Sequence, residues 1–382
     1  MLNLKGDFMK RILHLINYAG NGGSEKYIYT LVKNLHMTNY DNDFHHNKYK
    51  FFAAYSIYGP LIEKLDKLGV TCFKIEMNSW FDINSALALK RICEENSIDI
   101  IHTHFLRENY ISVISSLLGN KVKLINTRHM LDNNNGIISF MNSIVSKFVN
   151  YYIAVSNSVK DELLKEGISL RKVNLIYIGV DLEYYKHSCD NRIREEFGIS
   201  SADFLITYVA RFSKEKGHLF LFDVIKAFNE KNKMSGKDIT KVKFLLAGDG
   251  ELFEEFRNKV VDENLNNVVL SGYREDIKEI LQASDLYISP SQSEAFGISV
   301  IEALACGLPV IATKVGGHME ILAQNNCGYL IDYGNVEEFE EGLDRLIYNK
   351  EELIRLKSNT MKTIKEKFLV EAMIEKTSKL YD

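Results

Sequence analysis

Apolar residues recur along this chain in two registers. Short runs rich in Val, Ile and Leu fall at 11–16, 51–55, 70–75, 98–103, 122–127, 151–155 and 174–177, with stretches of helical spacing between them. Runs of this length suit strands buried on both faces, and their alternation with helices implies a mostly parallel, doubly wound sheet. A second series at 204–209, 242–247, 268–271, 286–289, 310–313 and 329–331 predicts a second sheet. Between the two series lie Gly179, Val180, Asp181 and a polar stretch to Asn191, read as an interdomain linker. The expected organisation is an α/β chain with one domain over 1–182 and another over 183–365. A C-terminal helix over 366–382 is expected to pack back on the first domain.

Composition narrows the class. At 382 residues the chain is long for one core, and 46% hydrophobic with 26% charged residues is an ordinary globular balance. The net charge of −4 divides unevenly: residues 1–180 hold 21 Lys+Arg against 16 Asp+Glu, so the excess of acid lies in the second half. A basic first half suits an anionic acceptor or a membrane surface, but it lacks the dense basic clusters of a nucleic-acid binder. Cys72, Cys93, Cys189, Cys306 and Cys327 lie far apart with no CxxC pair, against a zinc site or disulfide framework. The first residues, with Asp7 ahead of Lys10 and Arg11, read as a leader to a strand, and no apolar run approaches membrane-spanning length. A reducing, cytoplasmic location follows, with peripheral contact at the inner membrane face as its extension.

The densest chemistry lies at 291–311, SQSEAFGISVIEALACGLPVI. A buried strand at 285–289 leads through a loop to a helix over 297–306, stopped by Gly307 and Pro309. Glu294 and Glu302 then flank a helix start at the end of a strand, where open α/β sheets bind phosphates. Arg211 and Lys216 follow another strand; a guanidinium fork and a mobile ammonium together suit a pyrophosphate. Glycine turns after two further strands place Tyr273 and Arg274 as candidates to contact a nucleotide base. Near the first strand, Gly20, Gly22 and Gly23 precede a helix, without the GxGxxG or GK[ST] spacing of dinucleotide and P-loop sites.

His102 and His104 end one strand and Arg128 and His129 end another. His129 is the candidate to donate to a sugar hydroxyl or phosphate; His102 and His104 read as capping or packing, and no metal site is assigned. Asp41, Asp43, His45 and His46 read as solvated loop. An apolar stripe of Ile137, Phe140, Met141, Ile144, Val145, Phe148 and Val149 admits two readings, a core-facing helix or a surface helix for a membrane or lipid-linked acceptor.

Together these segments resemble the retaining GT-B glycosyltransferases of group one. The resemblance covers most of the chain and is strongest over the E-x7-E pattern from Glu294 to Glu302, continuing to Gly316, Gly317 and Glu320. It implies two Rossmann-like doubly wound domains facing across a cleft. Arg211 and Lys216 would bind the donor diphosphate, Glu294 the donor sugar and Glu302 the ribose. Phe296, Gly297 and Ile298 would receive sugar or phosphate at the helix start, Gly22 and Gly23 would line the cleft, and His129 would sit near the transferred sugar. Three departures stand out: Ala210 where the family has glycine, Ile178 where it often has asparagine, and Ser299 after Ile298.

The implied reaction is metal-independent transfer, with retention, from a nucleotide-sugar donor to a hydroxyl of a glycan, lipid-linked or small-molecule acceptor, in cell-surface glycan or glycolipid synthesis. A nucleotide-sugar epimerase of the same architecture and a non-catalytic nucleotide-sugar binder are the alternatives. Donor base, sugar and acceptor have no readable code in the sequence.

Overall fold

The computed structural model describes residues 9–37, 48–132, 134–186 and 192–382, which form two compact units. The first comprises residues up to Ile178 together with Val370–Asp382, and the second spans Gly179–Leu369. Asp41, Asp43, His45, His46 and Cys189 lie outside the described residues.

The first unit is built on strands β1 (Lys10–Tyr18), β2 (Tyr49–Ile57), β3 (Thr71–Lys74), β4 (Ile100–Thr103), β5 (Lys123–Arg128), β6 (Tyr151–Ala154) and β7 (Val173–Leu175). They pair in parallel in the order β3-β2-β1-β4-β5-β6-β7. The second holds β8 (Phe204–Val209), β9 (Val242–Ala247), β10 (Val268–Gly272), β11 (Leu286–Ser289), β12 (Val310–Thr313) and β13 (Gly328–Ile331), parallel in the order β10-β9-β8-β11-β12-β13. Both are doubly wound α/β sheets. Ile12, Leu13, Ile101 and Ile125 in one sheet, and Leu205, Leu245, Tyr287 and Ile311 in the other, are essentially inaccessible to solvent. The continuous apolar runs of the central strands have that cause, since those strands are covered on both faces, whereas the edge strands β3 and β10 hold no fully buried residue.

Each sheet reverses its winding once, between β1 and β4 in the first unit and between β8 and β11 in the second. At such a switch the loops leaving two adjacent strands diverge and open a crevice at their carboxyl ends. Arg211 and Lys216 leave β8, Glu294 leaves β11, and His104 leaves β4 next to β1.

The stretch read as a linker is partly structured. Asp181 accepts from the N–H groups of Glu183 and Tyr184 and so caps the helix Leu182–Tyr185. The last helix, Val370–Tyr381, belongs to the first unit, where Tyr381 is fully buried with its hydroxyl 2.7 Å from His102 Nδ1. The apolar stripe divides between the two readings: Ile137, Phe140, Ile144 and Phe148 are exposed, whereas Val149 is fully buried. In the helix Gly136–Val145 only Asn142 is buried, while Ile137 and Phe140 are 73% and 68% exposed. Helical spacing identifies the stripe but not which face the sheet covers.

Candidate active site

In the second unit the chain at the switch point is drawn tight. The N–H of Gln292, after β11, donates to the carbonyl of Glu215, after β8, at 2.8 Å. Gly217 makes this approach possible: it has φ +70°, and a Cβ there would stand 2.0 Å from the carbonyl oxygen of Pro290. The two loops bring Lys216 Nζ to 2.7 Å from Glu294 Oε2, with the side chains 25% and 17% exposed. Burial alone would raise the Glu294 pKa. The Lys216 charge, His318 and the N–H of Phe296 outweigh it and hold the carboxylate below its usual range.

Two helices start here with no side chain capping them, His218–Met234 after Gly217 and Ile298–Ala305 after Gly297. Their first N–H groups and the positive ends of their dipoles make this crevice suited to anions. Gly297 has φ +107°, and a Cβ there would press to 2.9 Å from His318 Cδ2. His318 is itself fully buried, with Nδ1 3.1 Å from the Thr313 carbonyl and Nε2 3.2 Å from Ser289 Oγ. That carbonyl assigns the proton to Nδ1, so Ser289 donates to Nε2, and burial lowers the pKa of the ring. His318 thus packs under the helix start as a buried wedge, a role that sequence reading missed although His318 lies within the continuation of the motif to Glu320.

The other candidates fall into place unevenly. Phe296 is buried against Phe368, with ring centroids 5.8 Å apart, and leaves its backbone at the loop. Ile298 opens the helix. Glu302 is 3% exposed and accepts from the Tyr185 hydroxyl at 2.7 Å, a partner that the sequence did not suggest. Arg211 is the mobile member: its side chain is 70% exposed and pairs with Glu215 at 3.1 Å. Tyr273 and Arg274 follow the edge strand β10 instead of β8 or β11. Tyr273 is 54% exposed, and the Arg274 fork is occupied by Glu196 and by Asp276, whose Oδ1 lies 2.8 Å from Nε. The structure therefore gathers Lys216, Glu294 and the two helix starts, and leaves Arg274 engaged elsewhere.

In the first unit, Gly23 begins the helix Gly23–Met37, and a Cβ on Gly22 would meet Glu25 Oε2 at 2.8 Å. The parallel register sets His14 of β1 directly beside His102 of β4. His14 Nδ1 lies 3.0 Å from His104 Nε2, and His104 Nδ1 lies 3.2 Å from His129 Nε2, so three imidazoles form a hydrogen-bonded chain. Burial drives all of these rings toward the neutral form: His14 and His129 are lowered to about 3, and His102 and His104 well below the usual value, with neighbouring imidazoles adding to the effect. Ring nitrogens of His14, His102 and His104 lie within 4.8 Å of one another, a grouping that includes His14, which the sequence reading did not consider. Both nitrogens of His102 are already engaged, by Tyr381 and by Thr127 Oγ1 at 2.7 Å each, and His14 and His104 bond each other. His14 Nε2 is left buried without a hydrogen-bond partner. His129, at its end, lines a cavity of about 330 Å³.

Two parallel sheets covered by helices, one with a paired lysine and carboxylate at its switch point beside uncapped helix starts, define a doubly wound α/β protein. Comparison with known proteins refines this. Residues 190–363 match the family of glycosyl transferases group 1, and residues 21–184 match Glycosyltransferase Family 4. An uncharacterized glycosyltransferase of Methanocaldococcus jannaschii is 28% identical, with 98% of each chain covered. The UDP-Gal:alpha-D-GlcNAc-diphosphoundecaprenol alpha-1,3-galactosyltransferase of Escherichia coli is 26% identical over 85% of this chain and 86% of its own. The crystal structure of Anabaena HepE in complex with UDP and glucose superposes with a TM-score of 0.83 at 20% identity, covering 97% of this chain and 98% of that one. The chain belongs to the GT-B glycosyltransferases.

Proposed function

We propose that this protein transfers a sugar, with retention of anomeric configuration, from a nucleotide diphosphate sugar to an acceptor hydroxyl in cell-surface glycan or glycolipid synthesis. The observation that carries the reading is the Lys216–Glu294 pair at the β8/β11 switch point, 2.7 Å apart between two uncapped helix starts. In this reading Lys216, Arg211 and the helix N-termini meet the charge that develops on the departing diphosphate, which makes transfer independent of a metal ion. Glu294 and Glu302 then hold hydroxyls of the donor sugar and the ribose. The backbone at Phe296, Gly297 and Ile298 receives the sugar or phosphate. His129, Gly22 and Gly23 serve from the first unit, and the departing phosphate oxygen takes the acceptor proton. Tyr273 is kept as a base contact; Arg274 fills that role only by leaving Glu196 and Asp276.

The test is incubation of the protein with a panel of nucleotide sugars and carbohydrate acceptors, reading product linkage by proton NMR. An α-linked product from an α-linked donor is expected, with turnover lost in Lys216→Ala. Interconversion of the donor without use of acceptor, or binding without turnover, overturns the reading.

We further propose a cytoplasmic enzyme in peripheral contact with the inner membrane face. Among the described residues no helix is long and apolar enough to cross a membrane. Support comes from the exposed face of Ile137, Phe140 and Ile144, with Lys172 Nζ bonding the carbonyls of Ser146 and Val149 at 2.7 Å each just past the end of that helix. Wild-type protein is expected to sediment with anionic vesicles and the double substitution Ile137→Ser, Phe140→Ser to stay in solution; equal sedimentation of both refutes the contact.

A further inference from the structure

The chain of imidazoles in the first unit has two ends of different character. His102 and His104 stand two residues apart at the end of β4 and so share one face, where their rings stack with centroids 4.6 Å apart. Tyr27, on the helix Gly23–Met37, closes that face, its ring edge-on to His104 and His129 with centroids 6.0 and 5.0 Å away. At one end of the chain, His14 Nε2 is sealed from solvent and bonds nothing. At the other, His129 is half-buried on the cavity wall, and its Nδ1 bonds nothing among the described residues. The chain therefore runs from a dry, unpartnered nitrogen to one left for the cavity.

Counting protons fixes what the cavity meets. Burial keeps the three rings neutral, so each carries one ring proton. Both nitrogens of His104 are engaged by imidazoles, at 3.0 Å by His14 Nδ1 and at 3.2 Å by His129 Nε2. A neutral ring donates through one nitrogen and accepts through the other, so His104 couples its neighbours and the chain has only two polarities. In the first, every ring is protonated on Nδ1: His14 donates to His104, His104 donates to His129, and His129 keeps an N–H for the cavity. His14 is then left with a bare lone pair. In the second, every ring is protonated on Nε2, His129 offers the cavity only a lone pair, and an N–H of His14 is buried with no acceptor. Both polarities make the same two hydrogen bonds, and solvent in the cavity serves either form of His129, so the sealed end decides. In folded backbones an orphaned buried N–H is rarer than an under-satisfied acceptor. Applied to the sealed nitrogen of His14, that order selects the first polarity.

We propose that this chain holds His129 in its Nδ1-protonated form, as a neutral hydrogen-bond donor to a substrate oxygen in the cavity, with His104 and His14 as positioning residues. In that state Nδ1 already carries a proton and Nε2 accepts from His104, so neither nitrogen is free to take the proton of the acceptor hydroxyl. His129 is thereby excluded as the general base, and the group it selects is an oxygen with a lone pair to offer, on a hydroxyl or a phosphate. The identity of the substrate rests on the glycosyl-transfer reading; the protonation pattern follows from the chain of rings alone.

Heteronuclear NMR of the full chain with isotope-labelled histidine rings reads which nitrogen of each neutral ring carries the proton, and single histidine substitutions assign the signals. Wild-type His14, His104 and His129 are expected on Nδ1, against the Nε2 form that free neutral histidine favours. His104→Leu removes the donor to His129 and is expected to return His129 largely to the Nε2 form. His104→Gln, whose amide has an acceptor for His14 and a donor for His129, is expected to keep the Nδ1 form. With a nucleotide sugar and an acceptor, kcat is expected to fall about tenfold or more in His104→Leu, the worth of one hydrogen bond, and to be largely restored in His104→Gln. Wild-type His129 protonated on Nε2 overturns the proposal without recourse to any variant. An Nδ1 form that persists in folded His104→Leu, or equal loss of kcat in both folded variants, overturns the positioning role. Absence of any turnover by wild type overturns the transfer reading instead, and the wild-type spectrum still decides the protonation of the chain.

Discussion

Replacing Lys216 by alanine separates the electrostatic role of the Lys216–Glu294 pair from mere proximity. In the wild type the Glu294 pKa is held below its unfolded value, so the pair stabilises the fold fully above the ordinary carboxylate range and loses that contribution as pH falls through the folded value. Without Lys216, burial becomes the dominant influence on Glu294, its pKa moves above the unfolded value, and the sign reverses: the carboxylate then destabilises at neutral pH and is relieved as pH falls. His318, which Lys216 also disfavours as a cation, changes in the same direction. Stranding one partner of a fully buried pair costs about 3–5 kcal/mol. With side chains 25% and 17% exposed, solvent screening reduces this to about 1–3 kcal/mol. For a domain of this size that is a loss of roughly 3–10 °C in Tm at pH 7, shrinking as pH falls and vanishing only below the folded Glu294 value of the wild type. Thermal melts of both proteins across that range, monitored by circular dichroism, measure it. A difference in Tm that is flat with pH, or that grows in acid, refutes the assignment of charge to this pair.

Three other outcomes are expected. Gly297→Ala forces a Cβ toward His318 at φ +107° and should destabilise by about 1–3 kcal/mol in urea unfolding, whereas Gly136→Ala, at a helix start with open space around it, should be neutral or mildly stabilising. The buried histidines have folded pKa values below their unfolded ones, so the unfolded state takes up protons first and stability falls with pH from about 6.5 toward 3. The slope is about 1.4 kcal/mol per pH unit for each ring, and His14→Phe should flatten it by one ring in melts between pH 5 and 7. Tyr381→Phe strips His102 Nδ1 of its partner and should cost about 1–3 kcal/mol, read as earlier protease cleavage of the first unit.

Local pattern carried much of this protein. Strands buried on both faces are apolar throughout, so short apolar runs marked the strands of the described residues, and Gly307 with Pro309 marked where the helix after Glu294 stopped. The boundaries shifted by a residue or two, as at the helix read over 297–306 and found at Ile298–Ala305, because cap geometry and not hydropathy sets the first turn. Glu294 and Lys216 stood out in the sequence as a carboxylate and an ammonium just past strand ends, a placement that suits a polar or anionic ligand and equally a helix start or a solvated loop.

What the sequence by itself determined was therefore the class of each segment and the type of group that each loop presents. Which groups meet was decided by tertiary structure. Lys216 and Glu294 are 78 residues apart and touch only because β8 and β11 are neighbours at a reversal of winding. His14 stands beside His102 only through the parallel register of β1 with β4, and the exposed face of Ile137 and Phe140 depends on which side of their helix the sheet covers. Strand order, register and facing are properties of the whole packed chain, settled by long-range burial, and no window of residues contains them.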